Sequence, residues 1–165
     1  RCTYARSSAI ILYDFCKALH IPVTVYGHST SGNSVELYSY AEFESIDNDD
    51  KYRMMDIAAR GSNRDGAALR FVAEQLVKRP EEVKILILVS DGQPAAPGYY
   101  GSAAEEDLRG IRQEYRRKGV LFIAAAIGED KQNIERIYGD SFMDITDLNQ
   151  LPVKLTAAVK RHMRV

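Results

Sequence analysis

Two uninterrupted apolar runs of strand length constrain the fold of this chain more than any other feature of its sequence. Residues 85–89 and 121–127 carry only apolar side chains. Runs of this length that are buried on both faces are typical of central strands in parallel sheets. A helical pattern over residues 102–118 separates them and ends at Gly119, which suits a helix C-cap. The chain is therefore predicted to form a three-layer, Rossmann-like α/β domain with a mostly parallel sheet.

The rest of the chain continues this alternation of helices and strands. Apolar residues at helical spacing predict further helices over residues 3–19, 52–59, 67–78, 130–138 and 148–163. Short strands are predicted over residues 23–26, 35–40 and 142–145. The strand over residues 35–40 alternates with period two, which is typical of an antiparallel edge strand. Gly27 is expected to close the strand before it, with a polar turn over residues 28–33. Ser102 and Glu105 have the spacing of a capping box.

Length and charge limit the classes of protein to which the chain can belong. Its 165 residues are expected to form a single domain over residues 1–165. With 22 basic and 23 acidic residues the net charge is −1, so we expect no nucleic-acid partner. No stretch approaches the roughly 18 apolar residues of a membrane helix, so we expect no membrane partner. Cys2 and Cys16 would lie about 21 Å apart on one helix, which predicts free thiols and a cytoplasmic, reducing location.

Oxygen-bearing side chains follow the predicted strand over residues 85–89 at its carboxyl end. Ser90 and Asp91 come directly after it, and open α/β sheets bind ligands outside the carboxyl ends of their strands. Asn63 and Asp65 lie in a loop before an earlier predicted helix. Because carboxylate, hydroxyl and amide oxygens suit Mg²⁺ or Mn²⁺, these four residues are the candidate metal ligands. The same side chains could instead cap a turn or a helix N-terminus, and spacing alone leaves both roles open.

Two further patterns suggest other chemistry. Gly27, Ser29 and Gly32 approximate the nucleophile elbow of hydrolases, with Ser29 as nucleophile and His162 as base. That elbow must run from a strand into a helix, whereas the segment after Ser29 has the pattern of a strand. A serine hydrolase is kept as the alternative function. Residues 61–66 have the glycine spacing of a phosphate-binding loop but lack the following Lys-Ser/Thr, which argues against nucleotide binding.

Several motifs, taken in order, resemble a known family. The sequence L-V-S-D-G at 88–92, preceded by this order of helices and strands, resembles a von Willebrand factor A (vWA) domain. More narrowly, N-x-D-G-x-A-L at 63–69, K-R-P-E at 78–81 and K-I-L at 84–86 resemble the A domain of the T subunit of aerobic cobalt chelatases. The nitric oxide reductase activation protein carries a similar domain. The resemblance extends over nearly the whole chain.

The resemblance implies a metal-ion-dependent adhesion site (MIDAS). In this family the ligands come from an Asp-x-Ser-x-Ser loop after the first strand, a Thr in a second loop and an Asp in a third. Asp91 matches the third loop, and Asn63 stands where the Thr normally is, as in the chelatase T subunits. The Asp-x-Ser-x-Ser loop is absent. The chain is therefore expected to be a fragment that begins at the first helix and lacks the first central strand.

The resemblance also implies a function. It predicts a protein-interaction module without catalytic activity of its own, which binds Mg²⁺ or Mn²⁺ when the domain is complete. The wider protein is expected to work with an AAA+ ATPase subunit. Their joint task would be to insert a metal into a tetrapyrrole or to activate a target metalloenzyme.

Overall fold

The structure is a computed structural model that describes residues 2–31, 34–43, 65–89, 95–96, 99–126 and 131–163. Within these ranges the helices are α1 (Cys2–Ala18), α2 (Asp65–Val77), α3 (Gly101–Arg117), α4 (Lys131–Tyr138) and α5 (Leu151–Met163). The strands are β1 (Val25–Ser31), β2 (Ser34–Ala41), β3 (Lys84–Val89), β4 (Ala95–Ala96), β5 (Tyr99–Tyr100), β6 (Val120–Ala126) and β7 (Phe142–Asp144). Short 3₁₀ turns cover Gly139–Ser141 and Leu148–Gln150.

A parallel sheet in the order β3-β6-β7 forms the centre of the fold. Ile85 pairs with Leu121, and Ala126 pairs with Asp144. The middle strand, β6, is almost wholly buried, with Val120 and Ala124 fully so. Both apolar runs are thus parallel strands joined through α3, which confirms the predicted α/β class.

An antiparallel pair, β1-β2, forms a second sheet, which confirms the predicted antiparallel strand. The predicted polar turn over residues 28–33 is wrong in part, because β1 continues through Ser31. Its polar residues pair across the hairpin, as Ser29 does with Glu36, so backbone pairing with β2 overrides their weak strand propensity. Among the described residues β1 and β3 share no sheet.

Two layers of helices cover the parallel sheet, one on each face. On one face α2, α3 and α4 bury Leu69, Ile111 and Ile134 against β3 and β6. On the other face α1 and α5 pack Phe15 and Leu155 against the alternate residues of the same strands. Because successive strand residues point to opposite faces, an unbroken apolar strand needs both layers.

The start of α3 differs from the prediction. Tyr100 is its N-cap residue and makes no side-chain capping bond, so Ser102 and Glu105 do not form a capping box. Glu105 instead turns inward to pair with Arg136 of α4, because two charge-assisted bonds to a guanidinium outweigh one backbone cap. Gly119 follows α3 with a φ of +86°, which confirms its predicted role at the helix end.

Candidate metal centre

The carboxyl ends of β3, β6 and β7 lie at one edge of the parallel sheet, here called the carboxyl edge. These ends are Val89, Ala126 and Asp144. Ser90 and Asp91 follow Val89 directly in the sequence. Their own positions lie outside the described residues.

Helix α2 begins near the same edge. Residues 78–83 alone connect its end to the start of β3, so the C-terminus of α2 lies at the opposite, amino edge. The helix of 13 residues and the strand of 6 residues are each about 20 Å long. Because α2 packs along β3 with Leu69 and Ala73 in the shared core, its first residue, Asp65, lies towards the carboxyl edge. The backbone of Asp65 is described, but its side chain and Asn63 are not.

The convergence of the four side chains of Asn63, Asp65, Ser90 and Asp91 therefore stays a prediction. The structure describes two neighbouring elements at this edge, the end of β3 at Val89 and the start of α2 at Asp65. Their donor set of two carboxylates, one hydroxyl and one amide oxygen fits a hard divalent cation. Among the described residues no group of three or more His, Cys, Asp or Glu side chains could hold a metal ion.

Asp144 organises the described part of the carboxyl edge. Its Oδ1 accepts hydrogen bonds from the Thr146 hydroxyl at 2.6 Å and from the Thr146 backbone N–H at 2.9 Å. Its Oδ2 lies 3.0 Å from Nζ of Lys131, and Lys154 donates to its backbone carbonyl at 2.6 Å. The Thr146 hydroxyl, aided by the Thr146 N–H and Lys131, lowers the pKa of Asp144 from 3.8 to about 2. Asp144 is thus a fully ionised carboxylate at neutral pH.

These contacts give Asp144 a structural role at the carboxyl edge. Both of its carboxylate oxygens accept hydrogen bonds, Oδ1 from Thr146 and Oδ2 from Lys131. From the sequence, Asp144 is expected only as part of a short strand over residues 142–145. The sequence does contain a pattern that indicates this structural role. Asp144 lies near the end of a predicted strand and Thr146 follows two residues later, a spacing that is typical of turns in which a side chain bonds to the nearby backbone.

Ser29 does not occupy a nucleophile elbow. It lies within β1, is 4% exposed, and its Oγ lies 3.5 Å from the hydroxyl of Tyr38 on the neighbouring strand. The segment that follows is β2 and not a helix, so the strand-to-helix turn that a hydrolase needs is absent at Ser29. His162, the other residue of that alternative, is in α5.

Two other expectations concern the thiols and membranes. Cys16 is a free cysteine, and burial raises the pKa of its thiol, which makes it a weak nucleophile. Within the described ranges no helix is both long enough and apolar enough to cross a membrane.

Solved structures share this fold. Proximal thread matrix protein 1 of the mussel byssus superposes with a TM-score of 0.59 at 19% identity, over 96% of this chain and 41% of that protein. A second structure of that protein, with a zinc-occupied MIDAS motif, gives a TM-score of 0.56 at 20% identity, over 92% and 42%. At identities this low, the similarity to these structures shows a shared fold and nothing more.

Curated relatives are much longer than this chain. The uncharacterized protein YojO of Bacillus subtilis is 25% identical over 92% of the chain and 26% of its own length. Protein NorD of Brucella suis is 34% identical over 57% of the chain and 15% of its own length. The chain therefore corresponds to about a quarter or less of these proteins.

The family comparison matches the larger part of the chain. The VWA domain of the cobalamin biosynthesis protein CobT matches residues 51–163. This span contains all four candidate ligands, the parallel sheet and helices α2 to α5. By this match, and with the vWA fold seen in the structure, the chain belongs to the family of CobT-type VWA domains.

Proposed function

We propose that this chain is a protein-interaction module that binds its partner through a divalent cation at the carboxyl edge. One observation carries the proposal: β3 ends at Val89, immediately before Ser90 and Asp91 in the sequence, at the edge near which α2 begins at Asp65. Asp91, Asp65, Ser90 and Asn63 would hold the ion. The four residues provide oxygen ligands but no nucleophile paired with a base, so the proposed role is binding and not catalysis.

A bound cation would supply an open coordination position that a carboxylate of the partner can occupy. This chain's residues would fix the position of the ion and exclude competing ligands. Because Mg²⁺ and Mn²⁺ prefer oxygen ligands, they suit this donor set better than a soft metal. The zinc-occupied MIDAS motif of the mussel byssus protein supports a divalent site in this fold.

We further propose that the wider protein works in the cytoplasm with an AAA+ ATPase subunit. The support is the match to the VWA domain of CobT and the similarity to protein NorD. The joint task would be metal insertion into a tetrapyrrole or activation of a target metalloenzyme. The ATPase would supply mechanical work, while this domain would dock the target.

The metal proposal is tested by calorimetric and thermal titration with Mg²⁺ and Mn²⁺. A ligand that binds only the folded state stabilises it, so the ion should raise the melting temperature of the wild type. Asp91→Asn should abolish that rise. Glu135→Gln, which removes one negative charge from an exposed position on α4, should behave as the wild type does. A rise of equal size in Asp91→Asn would overturn the assignment of Asp91 as a ligand.

The weaker alternative is that Asp91 only caps a turn. Comparing the melting temperatures of Asp91→Ala and the wild type in chelator distinguishes this role from that of a metal ligand. Loss of a cap lowers stability by about 1 kcal/mol. A metal ligand without its metal leaves crowded like charges, so its removal should leave the melting temperature unchanged or higher. We expect weak Mg²⁺ affinity for the 165-residue chain and higher affinity for a chain extended upstream by an Asp-x-Ser-x-Ser segment. Equal affinities would contradict the three-loop site.

A further inference from the structure

We propose that a cleft between the β1-β2 pair and the C-terminal end of α2 binds an arginine side chain of a partner protein. The cleft, here called the aromatic cleft, has a volume of about 400 Å³. It is lined by Tyr26 of β1, by Glu42 and Phe43 directly after β2, and by Lys78 and Arg79 directly after α2. Because α2 ends at the amino edge of the parallel sheet, the aromatic cleft lies away from the candidate metal centre, and the proposal does not rest on metal binding.

Glu42 supplies a carboxylate whose position is fixed by hydroxyl groups. Its Oε1 accepts hydrogen bonds from the Ser39 hydroxyl at 2.6 Å and from the Tyr26 hydroxyl at 2.7 Å. The Ser39 bond is the main cause of the lowered pKa of Glu42, which prevails over the opposing effect of burial. The carboxylate is therefore ionised at neutral pH, and it is held at one wall of the aromatic cleft.

The second oxygen of Glu42 can accept a further donor. The Thr24 hydroxyl, which carries a single hydrogen, donates to the backbone carbonyl of Ala41 at 2.7 Å and lies 3.4 Å from Oε2. Glu42 is exposed, and no cation within the described ranges forms an ion pair with it. The aromatic cleft therefore presents an oriented negative charge that an incoming N–H group can reach.

Aromatic rings beside Glu42 favour a cation as the occupant. Tyr26 and Phe43 line the cleft, and Phe71, which is 43% exposed, lies against Tyr26 with ring centroids 5.9 Å apart. The faces of such rings carry partial negative charge and attract cations. Phe43 already holds one, because the Arg79 guanidinium lies 4.6 Å from its ring centroid. A phosphate or an acidic peptide would instead meet the like charge of Glu42.

The two cations that line the aromatic cleft do not cancel this preference. Arg79 donates to both carboxylate oxygens of Glu81, at 2.6 and 3.1 Å, so its charge is balanced within the chain. Lys78 is exposed, and a charge at such a position is screened by water and salt. Lys78 therefore weakens the attraction for a cation without removing it, and its removal should improve binding.

A guanidinium on a peptide chain fits these features better than a small free amine. A guanidinium stacks on aromatic rings and donates several N–H bonds in one plane, whereas an ammonium is a strongly hydrated point charge. The exposed ring of Phe71 extends the aromatic surface beyond the cleft, where residues that flank an inserted arginine can pack. A free amine would leave that surface uncovered.

The test is an NMR titration of this chain with a peptide of about seven residues, which is long enough to reach beyond the cleft on both sides. The peptide has one central arginine with a leucine on each side. The ring signals of Tyr26 and Phe71 should shift as it binds. A peptide with citrulline, which has nearly the shape of arginine but no charge, should bind about tenfold more weakly.

Three variants of this chain identify the groups that bind the arginine peptide. Glu42→Gln should weaken binding about tenfold, and Lys78→Gln should tighten it about twofold. The matched control is Glu36→Gln, which removes the same charge from an exposed position near the start of β2, about 20 Å away. Glu36 also accepts a hydroxyl bond, from Tyr38, so the control resembles Glu42 in its local bonding. It should leave the affinity unchanged.

Several outcomes would overturn the proposal. These are unchanged ring signals at about 10 mM peptide, equal losses in Glu42→Gln and Glu36→Gln, and unchanged binding by a Glu42→Gln variant of lowered stability. The last result would leave Glu42 with a structural role only. Weaker binding by Lys78→Gln, or tighter binding of a peptide with glutamate in place of arginine, would assign the cleft to an anion. Equal affinity for free arginine amide would assign it to a small molecule. Circular dichroism of each variant checks that the fold is intact.

Discussion

Among individual residues, Asp144 gives the clearest dependence on pH. Its folded pKa of about 2 lies below its ordinary value of 3.8, so its contribution to stability is present above pH 4 and is lost as the pH falls through 2. Because the side chain is 39% exposed, the contribution is about 1 kcal/mol at neutral pH. Asp144→Asn should therefore lower the free energy of unfolding by about 1 kcal/mol at pH 7.

The difference between Asp144→Asn and the wild type should shrink to about half near pH 3, as measured by urea unfolding. Thr146→Val should reproduce most of the effect, because the Thr146 hydroxyl is the main cause of the lowered pKa. Thr156→Val serves as the control, since its hydroxyl bonds only to the backbone of Pro152. A stability difference that is constant with pH would show that the carboxylate charge contributes nothing.

Gly27 illustrates a steric requirement at a single position. A Cβ added there would lie 2.8 Å from Cε2 of Tyr40, whose ring is buried. Gly27→Ala should therefore cost about 1–3 kcal/mol through overpacking. Combining it with Tyr40→Leu should cost less than the sum of the two single changes, as measured by denaturant unfolding. Strict additivity would show that the ring moves aside without cost.

Between elements, the pair Glu105–Arg136 joins α3 to α4. The Glu105 side chain is 8% exposed, and its two oxygens accept bonds of 2.8 and 2.9 Å from the Arg136 guanidinium. A third contact, from Arg109, is longer at 3.4 Å. Arg136→Ala would leave a buried carboxylate with only that long contact, so it should cost about 2 kcal/mol.

The cost of Arg136→Ala is measured by denaturant unfolding. The control is Arg117→Ala, at an exposed site on α3, where the free energy of unfolding should change by no more than about 0.5 kcal/mol. Arg136→Lys should restore only part of the loss, because an ammonium cannot form two parallel bonds. The double variant Glu105→Gln/Arg136→Ala should lose less than the two single changes combined. An additive result would mean that the two side chains do not interact.

For the molecule as a whole, the split between the two sheets predicts unequal stability. The parallel sheet is covered on both faces, and β6 is its buried middle strand. The β1-β2 pair has a smaller core of Tyr13, Tyr40 and Ala41, and a two-stranded hairpin by itself is marginally stable. In native-state hydrogen exchange, amides of β6 should open only with global unfolding, whereas those of β1 should open at least about 2 kcal/mol more easily. Equal opening free energies would show one cooperative unit.

Much of the fold could be predicted because it depends on local pattern. The apolar runs became β3 and β6, and Gly119 ended α3 as its freedom at positive φ predicts. The polar residues of β1 could not be assigned in this way, since their conformation depends on pairing with β2. The four candidate ligands stay a prediction from the sequence, because their side chains lie outside the described residues.

The α/β class, the two parallel strands and the layers that cover them follow from the sequence alone, because apolar periodicity is a property of neighbouring residues. Which distant charges meet depends on the tertiary structure. It paired Glu105 with Arg136, 31 residues on, and enclosed Asp144 between Thr146 and Lys131. Such contacts depend on how elements pack across the sheet, and no local pattern encodes that geometry.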